Sequence, residues 1–297
     1  MKKNILMLGG TGFFGIYTVA QLLNKGHKVT IATRGKNANP FEGSTQHIKL
    51  DRTNPESIAS TLYSLPDFDV VIDNLVFCSN DVKYLLDVIK PKRYVYTSTI
   101  AVYDEDLQMD MLESHFDPLS PGLVWCDREE LPYGECKRQA ERALFQVYNY
   151  IPATALRIPY VIGTDDYTER LFFYVDSVVN ERPMYINNLD QRLSFITSKD
   201  AGMFLAWAAL ADFTGPINGA NGSDFSLAEI ISYVEEKTGK KAIHNQDAEA
   251  GKYNGRWSFS TSVERAASLG FSFSDITKEL HNLLDEYISL AYMNGRK

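Results

Sequence analysis

Tyr133 and Lys137 stand four residues apart in the stretch Tyr133-Gly-Glu-Cys-Lys137. On a helix, that spacing puts both side chains on one face. An ammonium beside a phenol favours the phenolate and lowers the phenol's pKa toward the range useful for proton transfer. The same lysine can hold a nicotinamide ribose. Upstream, residues 94–103 (YVYTSTIAVY) end an apolar run in hydroxyls. By position, Thr99 can hydrogen-bond a substrate oxygen beside Tyr133. The three residues together describe a proton-transfer site facing a hydride carrier. A Y-x-x-x-K standing alone would be an exposed helix pair, so the carrier needs its own signal.

That signal is the run Gly9-Gly10-Thr11-Gly12-Phe13-Phe14-Gly15. It follows a short apolar stretch (4–8) with strand character and opens a helix-periodic stretch (15–25), the context a dinucleotide fingerprint requires. Gly9 permits a tight turn, Gly12 lets the backbone approach a pyrophosphate, and Gly15 lets helix and strand pack closely. The helix N-terminus then offers unpaired N–H groups and a positive dipole end to the phosphates. Thr11, Phe13 and Phe14 stand beside those glycines in the expected cofactor site. The basic start and apolar run also imitate a secretory signal. Cleavage there would remove the first strand and helix of this unit, so the nucleotide-binding reading is preferred.

The second strand ends in Thr33-Arg34-Gly35-Lys36. An acid at this point would bind the adenosine ribose hydroxyls, as in NAD sites. Arg34, helped by Lys36, instead suits a 2′-phosphate, which favours NADP over NAD. An arginine stacked on the adenine would suit either cofactor. Asp51 follows the third strand, where it either accepts from the adenine amino group or serves as a turn aspartate.

These groups need a scaffold, and the periodicity supplies one. Strand-like stretches at 4–8, 28–32, 70–75, 93–98 and 153–158 alternate with helical stretches at 15–25, 54–65, 81–89 and 135–148. Such alternation implies βαβ units around a parallel sheet. Thr53 or Asn54, followed by Pro55 and Glu56, starts one helix. Ser226-Leu-Ala-Glu229 is a capping box that opens another. The expected fold is α/β: a Rossmann-type doubly wound parallel sheet with a smaller mixed α/β lobe. Residues 1–160 are assigned to the nucleotide-binding domain, with 191–215 returning to it. Residues 161–190 and 216–297 are assigned to the substrate lobe. The aromatic stretch 167–174 is read as core in preference to a substrate cover.

Composition bounds the partners. The chain has 297 residues, a net charge of −8 and three cysteines. The acidic balance argues against nucleic acid and anionic membrane, and no stretch is long and apolar enough to span a bilayer. The odd cysteines Cys78, Cys126 and Cys136 lack metal spacing and read as free thiols of a reducing, cytoplasmic compartment. The five histidines are scattered, so no metal is expected.

Taken together, GGTGFFG, VYTSTIAVY, YGECK, ALRIPYVIG, SFITSKDAG and INGAN resemble the extended short-chain dehydrogenases/reductases of the NAD-dependent epimerase/dehydratase type. The likeness runs through nearly the whole chain. It implies an enzyme that transfers hydride, with Tyr133 as acid/base, Lys137 lowering its pKa and Thr99 orienting the oxygen. It implies Pro159 and Tyr160 near the nicotinamide, and a structural role for Asp200. It allows a homodimer through the tyrosine-bearing helix and the helix before it. A looser likeness to the chloroplast stem-loop-binding branch adds a competing reading, a non-catalytic dinucleotide sensor or RNA-associated protein on the same fold. Three departures bear on the substrate, expected to be a small carbonyl or hydroxyl compound or a sugar nucleotide. Asp73-Asn74-Leu75 replaces the small L-A-A stretch of the sugar enzymes, with Asn74 beside the cofactor. Tyr160 replaces an asparagine. The usual diphosphate-gripping arginine is displaced to Arg192, with Arg256 as the substitute. Trp125, in the polar loop before Tyr133, is a further candidate substrate contact.

Overall fold

The computed structural model describes residues 1–103 and 108–294. Strands and helices alternate from the start: β1 (Asn4–Leu8), α1 (Phe14–Asn24), β2 (Lys28–Thr33), β3 (Gln46–Lys49), α2 (Pro55–Leu62), β4 (Val70–Asp73), α3 (Ser79–Leu86) and β5 (Tyr94–Thr99). Next come α4 (Tyr133–Arg142), β6 (Ala153–Ile158), β7 (Tyr160–Ile162), α5 (Arg170–Val179), β8 (Met184–Tyr185), β9 (Arg192–Thr197), α6 (Ser198–Leu210) and β10 (Gly215–Asn218). The chain ends through β11 (Asp224–Ser226), α7 (Leu227–Thr238), β12 (Glu249–Ala250), α8 (Glu264–Ser268) and α9 (Ile276–Asn294).

Seven strands form one all-parallel sheet in the order β10-β6-β5-β4-β1-β2-β3. Successive side chains on a strand face opposite ways. On β1, Ile5 and Met7 therefore join a core with Val19 of α1 and Phe204 of α6. Leu6 and Leu8 join a second core with Ile58 of α2, Leu85 of α3 and Ala140 of α4. With both faces covered, β1 reads as an unbroken apolar run. Strand order reverses between β1 and β4, and ligands of open parallel sheets bind outside the carboxyl ends at such a switch point.

The local start signals operate as their chemistry requires. Asn54 Oδ1 accepts from the Glu56 and Ser57 amides at 2.9 and 3.2 Å, with Pro55 at the first helical position. Thr197 Oγ1 accepts from the Asp200 amide, and Ser226 and Glu229 close a reciprocal box. Asp200 is buried among Thr197, Asn221 and Ser274.

The smaller lobe has its own core, in which Tyr174 and Val175 of α5 meet Ile230 of α7 and Leu284 of α9. It carries a mixed sheet ordered β11-β9-β7. β9 lies in this small sheet, so the chain rejoins the large layer through α6 and β10. The division at 216 falls inside β10. The helix expected over 135–148 begins at Tyr133, and Ala143–Val147 is wound as a π-helix. The aromatic stretch divides as well: Leu171 and Tyr174 are core, whereas Tyr167 is 82% exposed.

Candidate functional site

The glycine run forms one wall of a cavity of about 310 Å³ at the carboxyl ends of β1 and β2. Gly9 and Gly10 have φ of +86° and +122°, which glycine adopts without a steric cost. A Cβ on Gly15 would lie 2.8 Å from the Gly10 Cα, so turn and helix touch backbone to backbone. Around Gly12, which lines the cavity, the nearest atom to such a Cβ is Asn37 Nδ2 at 3.8 Å. Phe13, the N-cap of α1, holds φ +50°, a backbone region that costs a non-glycine residue roughly 1–3 kcal/mol. These residues form a phosphate cradle that side chains on the glycines would fill, so they fit a dinucleotide.

Arg34 and Lys36 are exposed on the second wall, with no ion pair among the described residues. Asp51 also lines the cavity. Its Oδ1 accepts from the Thr53 hydroxyl (2.7 Å) and amide (3.0 Å), and these bonds hold its carboxyl below the usual range. Asp51 is thus a turn former whose other oxygen is uncommitted.

A second cavity, about 710 Å³, adjoins the first and shares Phe13 and Tyr167 with it. Those two rings meet edge to face at 5.8 Å. Thr99, Tyr133, Lys137, Asn74, Phe14, Pro159 and Tyr160 all line this cleft. The structure therefore brings together the proton-transfer trio and the residues expected near the nicotinamide.

Tyr133 opens α4 and is half exposed, its ring 6.0 Å from that of Phe77. Lys137, one turn on, is buried. Its Nζ donates to the carbonyls of Val76 at 2.6 Å and Thr97 at 3.0 Å. Burial lowers its pKa to about 8, against the opposing pull of Asp81 and Asp73. The ammonium lies 5.0 Å from the Phe77 ring and 5.8 Å from the Tyr133 ring. Thr99 Oγ1 accepts from the Ala101 amide at 3.2 Å. Thr97 Oγ1 donates to Asn74 Oδ1 at 2.5 Å, which fixes that amide at the end of β4.

Behind the trio sits a buried ion pair. Glu141 lies on α4 four residues beyond Lys137 and takes Arg157 Nη2 at 2.6 Å, both side chains fully enclosed. Ser98 Oγ donates to the same carboxylate at 2.5 Å. Arg157 also donates to the Tyr103 hydroxyl and to the carbonyls of Glu113 and Phe116. This network ties α4 to β5 and β6, so it sets where Tyr133 and Lys137 stand. The cysteines Cys78, Cys126 and Cys136 are buried together as free thiols beside α4. Burial pushes Cys78 up to about 12, which keeps it a thiol and a poor nucleophile.

Two expected substrate contacts are not brought to the cleft. Trp125 packs under Lys83, whose ammonium is 5.4 Å from its ring, because the loop before α4 folds toward α3. Arg192 turns outward and pairs with Asp224 and Glu229. Arg256 does line the cleft. So do Arg170, 5.9 Å above the Tyr160 ring, and Lys252, paired with Glu249. Arg170 and Lys252 sit outside any recognisable motif, and only the fold of the small lobe reveals them. Phe77, at the end of VVIDNLVF, also lines the cleft, and Arg128, within the polar loop 125–130 expected to contact substrate, lines the glycine-run cavity instead. The described residues contain no group of three or more acidic, histidine or cysteine side chains able to hold a metal, and no helix long and apolar enough to cross a membrane.

Comparison with known proteins agrees with this geometry. The model of the NAD dependent epimerase/dehydratase family matches residues 5–220. Chloroplast stem-loop binding protein of 41 kDa b from Arabidopsis thaliana is 33% identical over 137 residues, 40% of this chain and 35% of that protein. The match thus spans about a third of that relative's own length. The NAD(+)-dependent dTDP-6-deoxy-L-talose 4-dehydrogenase of Aggregatibacter actinomycetemcomitans is 24% identical over 251 residues, 77% of this chain and 88% of that one. Among solved structures, UDP-glucose 4-epimerase of Thermotoga maritima superposes with a TM-score of 0.76 at 18% identity, covering 97% of this chain and 99% of its own. At that identity it shows the shared fold.

Proposed function

The chain belongs to the NAD dependent epimerase/dehydratase family, and from that premise we propose that it catalyses hydride transfer at a hydroxyl- or carbonyl-bearing carbon of an anionic small molecule. The observation that carries this reading is the cleft itself. Tyr133, Lys137 and Thr99 line one cavity that opens directly into the glycine-run cavity. A bound nicotinamide dinucleotide supplies the hydride acceptor or donor.

The chain's own residues do the rest. Tyr133 takes the substrate's hydroxyl proton as the alcohol is oxidised, and returns it in the reverse direction. Lys137, held by two carbonyls, presents a fixed positive charge that favours the phenolate. Thr99 hydrogen-bonds the substrate oxygen. The amides of the glycine run, together with Asn74 and Pro159, hold the dinucleotide. Arg34 and Lys36 take the adenosine 2′-phosphate, which makes NADP the preferred cofactor over NAD. Arg170 and Arg256 line the substrate side without an ion pair among the described residues. They suit a phosphate or carboxylate, as a sugar nucleotide carries.

The net reaction is read from how the cofactor is kept. The freshly purified protein is denatured and any released nucleotide identified by chromatography. Retained NAD assigns epimerisation or dehydration, with the cofactor recycled in place, and removes the phosphate-reading role of Arg34. An empty protein that binds NADPH assigns a reductase. A protein that neither retains nor binds a dinucleotide overturns the reading. The stem-loop-binding relative keeps one alternative in view, a non-catalytic RNA-associated protein. The net charge of −8 speaks against it.

A further inference from the structure

Arg128 stands in the loop before α4 and points into the fold. Its Nη2 donates to the Leu75 carbonyl at 2.6 Å, and its Nε donates to Asp81 Oδ2 at 3.1 Å. The guanidinium carbon lies 4.6 Å from the Phe77 ring centre. Arg128 also lines the adenosine-side cavity opposite the glycine run. Nη1 makes no hydrogen bond among the described residues, and the side chain is 32% exposed.

The segment that Arg128 grips is the one on which Lys137 rests. Leu75 gives its carbonyl to Arg128, and Val76 gives its carbonyl to Lys137. The Phe77 ring is near both cations, its centre 4.6 Å from one and 5.0 Å from the other. The Phe77 amide donates to Asp81 at 2.7 Å, the same carboxylate that holds Arg128. Leu75 lines the adenosine-side cavity and Phe77 the catalytic cleft. Three consecutive residues therefore join the two cavities, with one cation at each end. Arg34 and Arg128 both help keep the Asp51 carboxyl low, so both charges face one space.

We propose that Arg128 is a positioning residue: Nη1 engages a phosphate or ribose oxygen of the dinucleotide's adenosine half, and the Leu75–Phe77 segment carries that engagement to Lys137. The inference rests on the dinucleotide reading above and adds to it a link between cofactor occupancy and the catalytic pair. A staple that serves the fold alone would hold this segment equally with and without ligand.

The test is hydrogen exchange on the full-length wild-type protein with 2′,5′-ADP, which fills the adenosine half and cannot reach Lys137. The expected result is exchange slowed about fivefold or more across 75–78, beyond the protection at 9–15. Alongside, Arg128→Met and Arg128→Lys are titrated with NADP+. Loss of one charge-assisted contact weakens binding about tenfold in the methionine variant. The lysine variant recovers part of the affinity and none of the protection at 75–78. Protection confined to 9–15, or an Arg128→Met variant that binds NADP+ within about twofold of wild type, overturns the proposal and leaves the dinucleotide reading standing. Failure of the wild type to bind these probes and NAD+ as well overturns the dinucleotide reading itself, whereas binding of NAD+ alone moves the same exchange test to ADP-ribose. The wild-type exchange experiment decides the matter even where a variant does not fold.

Discussion

The two sides of the catalytic cleft keep their charges in opposite ways. On the sheet side, the charges behind Tyr133 are buried and partnered: Lys137 on two carbonyls, Glu141 with Arg157, Arg52 with Asp73. On the side of the small lobe, Arg170 and Arg256 are exposed, with no ion pair among the described residues. Buried charges must be satisfied by the protein, because burial removes water as a partner. Exposed ones can wait for a ligand. The sheet side is thus a finished instrument, and the proposed function has the lobe side receive an anion. One side should respond to mutation through stability and catalytic rate, the other through substrate affinity alone.

Five substitutions test that contrast. Tyr133→Phe removes the proton-transferring oxygen and should lower turnover by about 10²–10⁴-fold. Its dinucleotide affinity should stay within about twofold of wild type, read by titration. A mutant that keeps wild-type turnover would remove Tyr133 from the chemistry. Glu141→Gln leaves the Arg157 guanidinium buried without its counter-charge and should cost about 3–5 kcal/mol, measured by denaturant unfolding. A loss below about 1 kcal/mol would mean that the pair does not hold α4.

Lys137→Met tests burial of the cation through pH. The folded pKa, about 8, lies below the ordinary 10.5. Below pH 8 the protonated lysine is carried at a cost in the folded state. As pH rises from about 8 to 10.5, the folded protein has released the proton while the unfolded chain still binds it. Wild-type stability should therefore rise relative to Lys137→Met across that window, by on the order of 2–3 kcal/mol. A flat difference between the two unfolding curves would show that the ammonium is not desolvated. The smallest expected effect on stability is on the lobe side. Arg170→Ala and Arg256→Ala should change the unfolding free energy by no more than about 0.5 kcal/mol. Each should nevertheless raise KM for an anionic substrate with little change in kcat. A large stability loss in either would erase the contrast.

Most of the sheet side was legible in the sequence because its signals are local. A glycine run between strand and helix has one steric reading, and a Cβ on Gly15 would lie 2.8 Å from the Gly10 Cα. The cap at Asn54 and the box at Ser226 act within four residues of themselves. The four-residue spacing of Tyr133 and Lys137 sets their shared face on any helix. What was not legible depends on contacts between distant segments. Glu141 finds Arg157 across β5 and β6, and nothing near either residue announces a buried pair. Arg192 was placed at the substrate by its distance from SFITSKD. Strand β9 points it outward instead, where Asp224 of the neighbouring strand takes it. Trp125 lies in a loop whose path is set by its packing on α3. Arg170 and Lys252 reach the cleft only because α5 and the segment after β12 fold over it.

The central claim is that a dinucleotide lies along the carboxyl edge of the sheet, from the glycine run to Lys137, with its adenosine end read by Arg34. The most direct measurement is a calorimetric titration of nucleotide-stripped protein with NADPH and NADH, wild type beside Arg34→Ala. The account predicts one-to-one binding, with NADPH preferred by about tenfold in the wild type and that preference lost in the variant. Absence of binding by either nucleotide would contradict it.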